Sequence, residues 1–218
     1  VSGVKNKPCI EAYIGATGSG KGVSIKRRLK TLGAKHLLIW DPRDEYGAEA
    51  PAYTDRRSLA LAFHRKAGRI KARYVANERD KIADQFDFVC RLAFEVGNLV
   101  FLAEELSDVT QPSWAPPAWR KLLTQGRHKG MVILGAAQRP AMIDKAFLGG
   151  CTYIRCFTLR YPQDRKAMAD AMDVDRARID ALATTEDDIR GTVIGYLERD
   201  FRTADEAKAG NIKFRAST

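Results

Sequence analysis

The residues best spaced for chemistry are Gly15-Ala16-Thr17-Gly18-Ser19-Gly20-Lys21-Gly22, followed by Val23. The spacing G-x-x-x-x-G-K lies between an apolar run and a stretch of helical periodicity, the context a phosphate-binding loop requires. Glycines let the chain curl so that successive N–H groups point inward at phosphate oxygens. The helix that follows aims its positive end at the same oxygens, and Lys21 adds a point charge for the outer phosphates. A plain glycine turn before a helix would need neither the lysine nor the third glycine. Gly22 stands where a hydroxyl residue usually ligates Mg²⁺. Ser24, two positions on, does not share its helix face. Three solutions stay open: an additional metal-bound water, a contribution from Thr17 or Ser19, or weak metal support. The water is favoured because Mg²⁺ readily keeps several.

A second group ends the apolar run Leu99–Ala103, where Glu104 and Glu105 follow directly. Beside a phosphate loop, the first carboxylate suits a metal and the second an attacking water. This assigns Glu104 to the metal and Glu105 to catalysis, with their strand expected next to the phosphate-loop strand. Met131–Ala137 is a further apolar run, and it ends at Gln138-Arg139-Pro140. The Gln138 amide there could sense a terminal phosphate, although proline after a strand also marks an ordinary turn.

These groups need a scaffold that brings several strand ends together. Pro8–Ile14, His36–Trp40, Ile70–Val75, Leu99–Ala103, Met131–Ala136, Tyr153–Thr158 and Thr192–Leu197 read as strands. Lys21–Leu32, Arg56–Lys66, Arg79–Val96, Trp119–Gln125 and Gln163–Met172 read as helices. Alternation of this kind, with strands lacking polar positions, predicts an α/β fold whose mainly parallel central sheet has helices on both faces. Residues 1–202 read as one domain, and 203–218 as a polar C-terminal tail or partner-docked arm.

The chain has 218 residues, 37 basic and 27 acidic, for a net charge of +10 and a pI near 9.6. That balance favours a polyanionic partner, nucleic acid first. A hydrophobic content of 45% excludes disorder of the whole chain. No apolar run approaches the ~20 residues of a membrane-spanning helix, so the expectation is a soluble protein. Cys9, Cys90, Cys151 and Cys156 lack metal-ligand spacing and read as free thiols.

The order of motifs resembles the FtsK–HerA superfamily of P-loop ATPases. Ile39-Trp40-Asp41-Pro42-Arg43-Asp44-Glu45-Tyr46 is similar to its "iDPkgEY" element, and Glu104-Glu105-Leu106-Ser107-Asp108 to its "DE-x-x-D" strand end. Gly126–Pro140 is similar to its "GR-x-x-G-h-x-h-h-x-A-T-Q-R-P" segment, with Ala137 in place of the usual Thr. The resemblance implies a RecA-like P-loop NTPase fold, ATP and Mg²⁺ as cofactors, and double-stranded DNA as a sequence-independent partner. It also implies a homo-oligomeric ring, usually hexameric, with ATP between subunits and Gln138 as sensor. An arginine would reach into the neighbour's site, with Arg127, Arg155 and Arg165 as candidates. The short chain, without a visible winged helix or membrane span, resembles the genome-packaging ATPases of membrane-containing phages. That places it in the host cytoplasm or at the packaging vertex of a virion, with capsid or membrane-vertex proteins as further partners. The first expectation is an ATP-driven translocase that packages a genome. The alternative is a nucleotide-binding phage assembly protein with little turnover, and a nucleotide kinase ranks behind both for want of an arginine-rich lid.

Candidate DNA contacts are Lys26, Arg27, Arg28 and Lys30, and a second group of Arg65, Lys66, Arg69, Lys71 and Arg73, although for each group a solvated face is the commoner reading, since charges mostly sit at surfaces. The loop Gln111–Trp119, with two tryptophans among three prolines, suits either a neighbouring subunit, exposed bases or the rim of the core.

Overall fold

The computed structural model describes residues 7–65, 69–187, 191–203 and 205–214. In chain order the elements are β1 (Ile10–Ile14), α1 (Lys21–Leu32), β2 (His36–Trp40), β3 (Ala52–Tyr53), α2 (Arg56–Arg65) and β4 (Ile70–Tyr74). Next come α3 (Ile82–Val96), β5 (Val100–Ala103), α4 (Leu106–Val109), α5 (Pro117–Gln125), β6 (Val132–Ala137) and α6 (Lys145–Gly150). The chain continues through β7 (Tyr153–Cys156), α7 (Pro162–Met172), α8 (Arg176–Asp180), β8 (Thr184–Asp187), β9 (Gly191–Asp200) and β10 (Lys208–Phe214).

All ten strands form one sheet, in the order β10-β9-β7-β1-β6-β5-β2-β4-β3, with β8 paired to β9. From β7 to β3 every pairing is parallel, and β8, β9 and β10 are antiparallel. Parallel strands need helical crossovers, which cover both faces and require apolar side chains in both directions. Residues of β1, β2, β5 and β6 alternate accordingly between two cores. Leu37, Ile39, Val100, Leu102, Val132 and Leu134 meet Ile25, Leu29 and Leu32 of α1 on one face. Ile14, Leu38, Trp40, Phe101 and Ile133 share the other core with Phe86 and Val89 of α3, Trp119 of α5 and Phe147 of α6.

Helix α1 starts at the lysine of the phosphate loop and ends at Gly33, whose left-handed conformation (φ 54°) lets its N–H reach the Leu29 carbonyl. One sequence expectation changes here. The strand bearing Glu104 and Glu105 is not beside β1, because β6 lies between them. Within the expected tail or arm, residues 208–214 form β10, which pairs with β9 from Lys208↔Glu198 to Phe214↔Thr192. Its polar residues read as unstructured because an edge strand has only one side to bury.

Candidate functional site

The phosphate loop runs from the end of β1 to α1 and is tied to both neighbouring strands. Gly15 N donates to the Ala137 carbonyl (3.1 Å) and Ala16 N to the Thr158 carbonyl (3.0 Å). Gly18 and Gly20 adopt φ of 77° and 91°, values that L-residues with side chains rarely reach. Gly15 is required by space: a Cβ there would lie 2.4 Å from Ser19 Oγ and 2.7 Å from Phe157 Cβ. Gly22 faces open space.

Across from the loop, Glu105 and Gln138 meet. Thr17 Oγ1 donates to Gln138 Oε1 (2.6 Å), and Gln138 Nε2 donates to Glu105 Oε1 (2.6 Å). One chain of hydrogen bonds thus joins the tips of β1, β6 and β5. Glu105 sits at φ 49°, ψ 50°, a left-handed conformation unusual for glutamate, where the strand turns into α4. Such strain persists where surrounding structure fixes it, and it clusters at functional sites.

Glu104 is buried, with 5% of its surface exposed. Burial raises its pKa above the ordinary carboxylate value, opposed by the nearby Lys21 charge and by a hydrogen bond from the Tyr46 hydroxyl. Burial and the Glu104 charge in turn push Tyr46 far up, so its hydroxyl stays a donor. Tyr46 is placed by Asp41 at the tip of β2. The two Asp41 carboxylate oxygens accept from Glu45 N (2.9 Å) and Tyr46 N (3.0 Å). Arg73 of β4 donates to the same Asp41 oxygen that accepts from Tyr46 N (3.0 Å), contacts Asp44, and donates from Nε to the Ala50 carbonyl (2.9 Å). Lys26 of α1 donates to the Glu45 carbonyl (3.0 Å), and Arg43 pairs with Asp108 (2.7 Å) in α4. Asp41 and Tyr46 belong to the quoted motif, but their part in seating Glu104 is not readable from spacing.

Ala16, Thr17, Gly18, Gly20, Lys21, Gly22, Val23, Lys26, Glu45, Glu105, Gln138, Thr192, Ile194 and Phe214 line one cleft of about 470 Å³. Its phosphate-seeking amides, lysine and two carboxylates suit a nucleoside triphosphate. A divalent ion also fits. Glu104 is a buried carboxylate beside Lys21, and the open space at Gly22 leaves room for coordinated water. Glu104 and phosphate oxygens would hold it. Ser19 Oγ is buried without a hydrogen-bond partner among the described residues, whereas Ser24 Oγ is engaged by Arg155 (2.7 Å) on another side of α1.

The structural comparison matches this architecture closely enough to fix the fold. The genome packaging NTPase B204 of Sulfolobus turreted icosahedral virus 2, solved with AMPPCP, superposes with a TM-score of 0.68 over 92% of this chain and 96% of B204, at 18% identity. The chain shares the fold of B204. B204 has also been solved with ATP-gammaS. VirB4 of Thermoanaerobacter pseudethanolicus superposes with a TM-score of 0.53 over 95% of this chain and 90% of its own, at 12% identity. In sequence, Protein P9 of Pseudoalteromonas phage PM2 is 28% identical over 174 residues, 78% of this chain and 77% of P9. No protein-family model matches the chain. The expected α/β fold with a largely parallel central sheet is therefore the one these solved structures share.

The three arginine candidates lie away from their own chain's phosphate loop or are already engaged. Arg155 in β7 pairs with Glu198 and lies over the Tyr196 ring (4.3 Å). Arg165 pairs with Asp180 (2.7 Å) and donates to the Leu159 and Arg160 carbonyls. Arg127 is exposed before β6, with Nε 3.4 Å from His128 Nε2.

Of the candidate basic residues two are committed to ion pairs, while the exposed Lys26, Arg27, Lys30 and Lys71 line one cleft together. Arg73 is buried in the Asp41 network, and Arg28 grips Glu11 through Nε at 2.9 Å and through Nη2. Lys66 lies outside the described residues, as does the side chain of Arg65. The tryptophan loop divides. Trp119 is fully buried against Phe86, Phe101 and Phe147, at ring separations of 5.5, 6.3 and 5.6 Å, while Trp114 is 45% exposed. No described helix is long and apolar enough to cross a membrane.

Proposed function

We propose that this protein is an ATP-driven DNA translocase of a viral genome-packaging machine, working as a subunit ring. The observation that carries the reading is the Thr17–Gln138–Glu105 chain closing one end of the phosphate cleft, with Glu104 buried beside Lys21. The loop amides and Lys21 bind the triphosphate tail. Gln138, held between Thr17 and Glu105, orients the attacking water; Glu105 polarises it and receives its proton as the water oxygen bonds the γ-phosphorus and the bond from that phosphorus to the β–γ bridging oxygen breaks, leaving ADP and inorganic phosphate. Tyr46 holds the Glu104 carboxylate by a hydrogen bond. Mg²⁺, when bound, supplies charge neutralisation at the β and γ oxygens. A guanidinium from a neighbouring subunit would stabilise the transition-state charge, and Arg127, Arg155 and Arg165 remain the residues to test. Recruiting Arg155 or Arg165 would require breaking its own ion pair. The similarity to B204, described as a DNA-packaging ATPase, and to the phage protein P9, with the net charge of +10, supports DNA as the polymer moved.

One observation favours a second reading, a nucleotide-binding assembly protein that scarcely turns over. Gly22 offers no hydroxyl where one usually ligates the metal. The two readings separate in steady-state ATP hydrolysis measured with and without double-stranded DNA, beside a mass measurement of the assembly. The motor predicts DNA-stimulated turnover in an oligomer, lost by about 100-fold or more in Glu105→Gln. Tight binding with no turnover in the native chain would instead establish the assembly protein.

A further inference from the structure

We infer that the face of the β9–β10 hairpin bearing Thr192, Ile194 and Phe214 is the seat of the nucleobase, held by aromatic stacking and apolar contact. The inference rests on reading the cleft as a nucleoside triphosphate site, and it follows from sheet order. Glu105 and Gln138 leave the tips of β5 and β6, on one side of β1, whereas β9 and β10 lie on the other side beyond β7. At ~4.8 Å per strand spacing, β5 and β9 are roughly 19 Å apart. The cleft spans that interval without interruption, from Glu105 and Gln138, over the loop, past Val23, to Thr192, Ile194 and Phe214. The γ-phosphate belongs at the carboxylate end. The amides of the first turn of α1 take the inner phosphates. The nucleoside must therefore leave toward the hairpin.

The chemistry of that end agrees. Phe214 is partly buried and backed by Phe157, Ile194 and Ile212, with the Arg27 guanidinium 5.8 Å from its ring centre. Thr192 pairs with Phe214 across the ladder, placing a hydroxyl beside the ring. Ile194 leans on the phosphate loop itself: a Cβ at residue 20 would come within 2.8 Å of its Cδ1. The other wall, at Lys26 and Glu45, is polar, and Lys26 is already committed to the Glu45 carbonyl and the Tyr46 ring. A ring stacked on Phe214 is held by its π-face, which every base possesses. Base-edge discrimination needs paired donors and acceptors, so ATP and GTP should bind within about tenfold of each other.

The test measures dissociation constants of ATP, GTP and inorganic tripolyphosphate for the native chain, Phe214→Ala and Phe214→Trp by calorimetry, with melting curves as a folding check. Phe214→Ala should weaken ATP and GTP by about five- to a hundredfold and leave tripolyphosphate unchanged. Phe214→Trp should keep ATP affinity, and its added indole fluorescence should be quenched by ATP but not by tripolyphosphate. That arm stands even if the alanine variant fails to fold. Native ATP affinity in Phe214→Ala, equal losses for ATP and tripolyphosphate, or indole fluorescence of Phe214→Trp indifferent to ATP would each overturn the inference. If the native chain bound neither ATP nor tripolyphosphate, the phosphate-site reading would fall first and the base seat with it.

Discussion

β1, β2, β5 and β6 are buried almost throughout and, Glu11 and His36 apart, largely apolar, and each ends in a polar or glycine-rich group at or behind the cleft: the glycine loop, Asp41, Glu104 with Glu105, and Gln138. β9 and β10, in the same sheet, mix buried with part-exposed positions and carry Glu198, Asp200 and Lys208 along their length. The contrast shows where chemistry can sit in each half. A strand covered on both faces has no room for an unpaired polar group. A charge inside such a strand is paired, as Glu11 is with Arg28, and the groups free for chemistry lie at the carboxyl ends, where the chain leaves the layers and ligands gather in open α/β sheets. The flank has a solvated face, so its charges pair locally and its apolar residues offer a side wall to the cleft.

The comparison breaks most readily at Arg73. Arg73→Met leaves the buried Asp41 carboxylate without its cation, and the expected loss is about 3–5 kcal/mol of unfolding free energy, measured by urea titration. The same variant should lose Mg²⁺-dependent nucleotide affinity, because Asp41 no longer fixes Tyr46. A loss below that of a surface pair would mean Asp41 is not truly desolvated.

Glu104 gives a smaller, pH-dependent effect. Its folded pKa is raised by burial. The stability associated with its neutral form is therefore complete below the unfolded carboxylate pKa and lost as pH rises through the folded value. In metal-free buffer, Glu104→Gln should melt with the native chain at acidic pH and above it at neutral pH. Added MgATP should reverse the order, since only the native chain retains the carboxylate. A variant less stable than the native chain at neutral pH without ligand would contradict the burial argument. The smallest effect belongs to the flank. Arg202 is 45% exposed and pairs with Asp200 at 2.7 Å, so Arg202→Met should cost under about 1 kcal/mol in the same titration. Equal losses for Arg73→Met and Arg202→Met would erase the distinction between the halves.

Much of the chemistry-bearing half is legible in the residues themselves. The bounds of α1 and β2 are those expected from apolar periodicity and from the glycines that frame α1, and the phosphate loop lies where its spacing puts it. Local signals suffice there: a positive φ asks for glycine, a covered strand asks for unbroken apolar residues, and both are written in consecutive positions. The flank is less legible. β8 and β10 are polar, and neither reads as a strand by its own pattern. Their pairing with β9 supplies what their own residues lack.

Sequence alone determined which groups could meet a phosphate chain, since residue type and the strand–loop–helix context fix that locally. Tertiary structure alone decided their neighbours. It placed β6 between β1 and β5 and buried Trp119 while leaving Trp114 exposed. It also turned Arg73 from an apparent surface charge into the anchor of Asp41, and swung Phe214 onto the cleft of the glycine loop. Each of these depends on contacts between segments distant in the chain, which no local pattern of residues encodes.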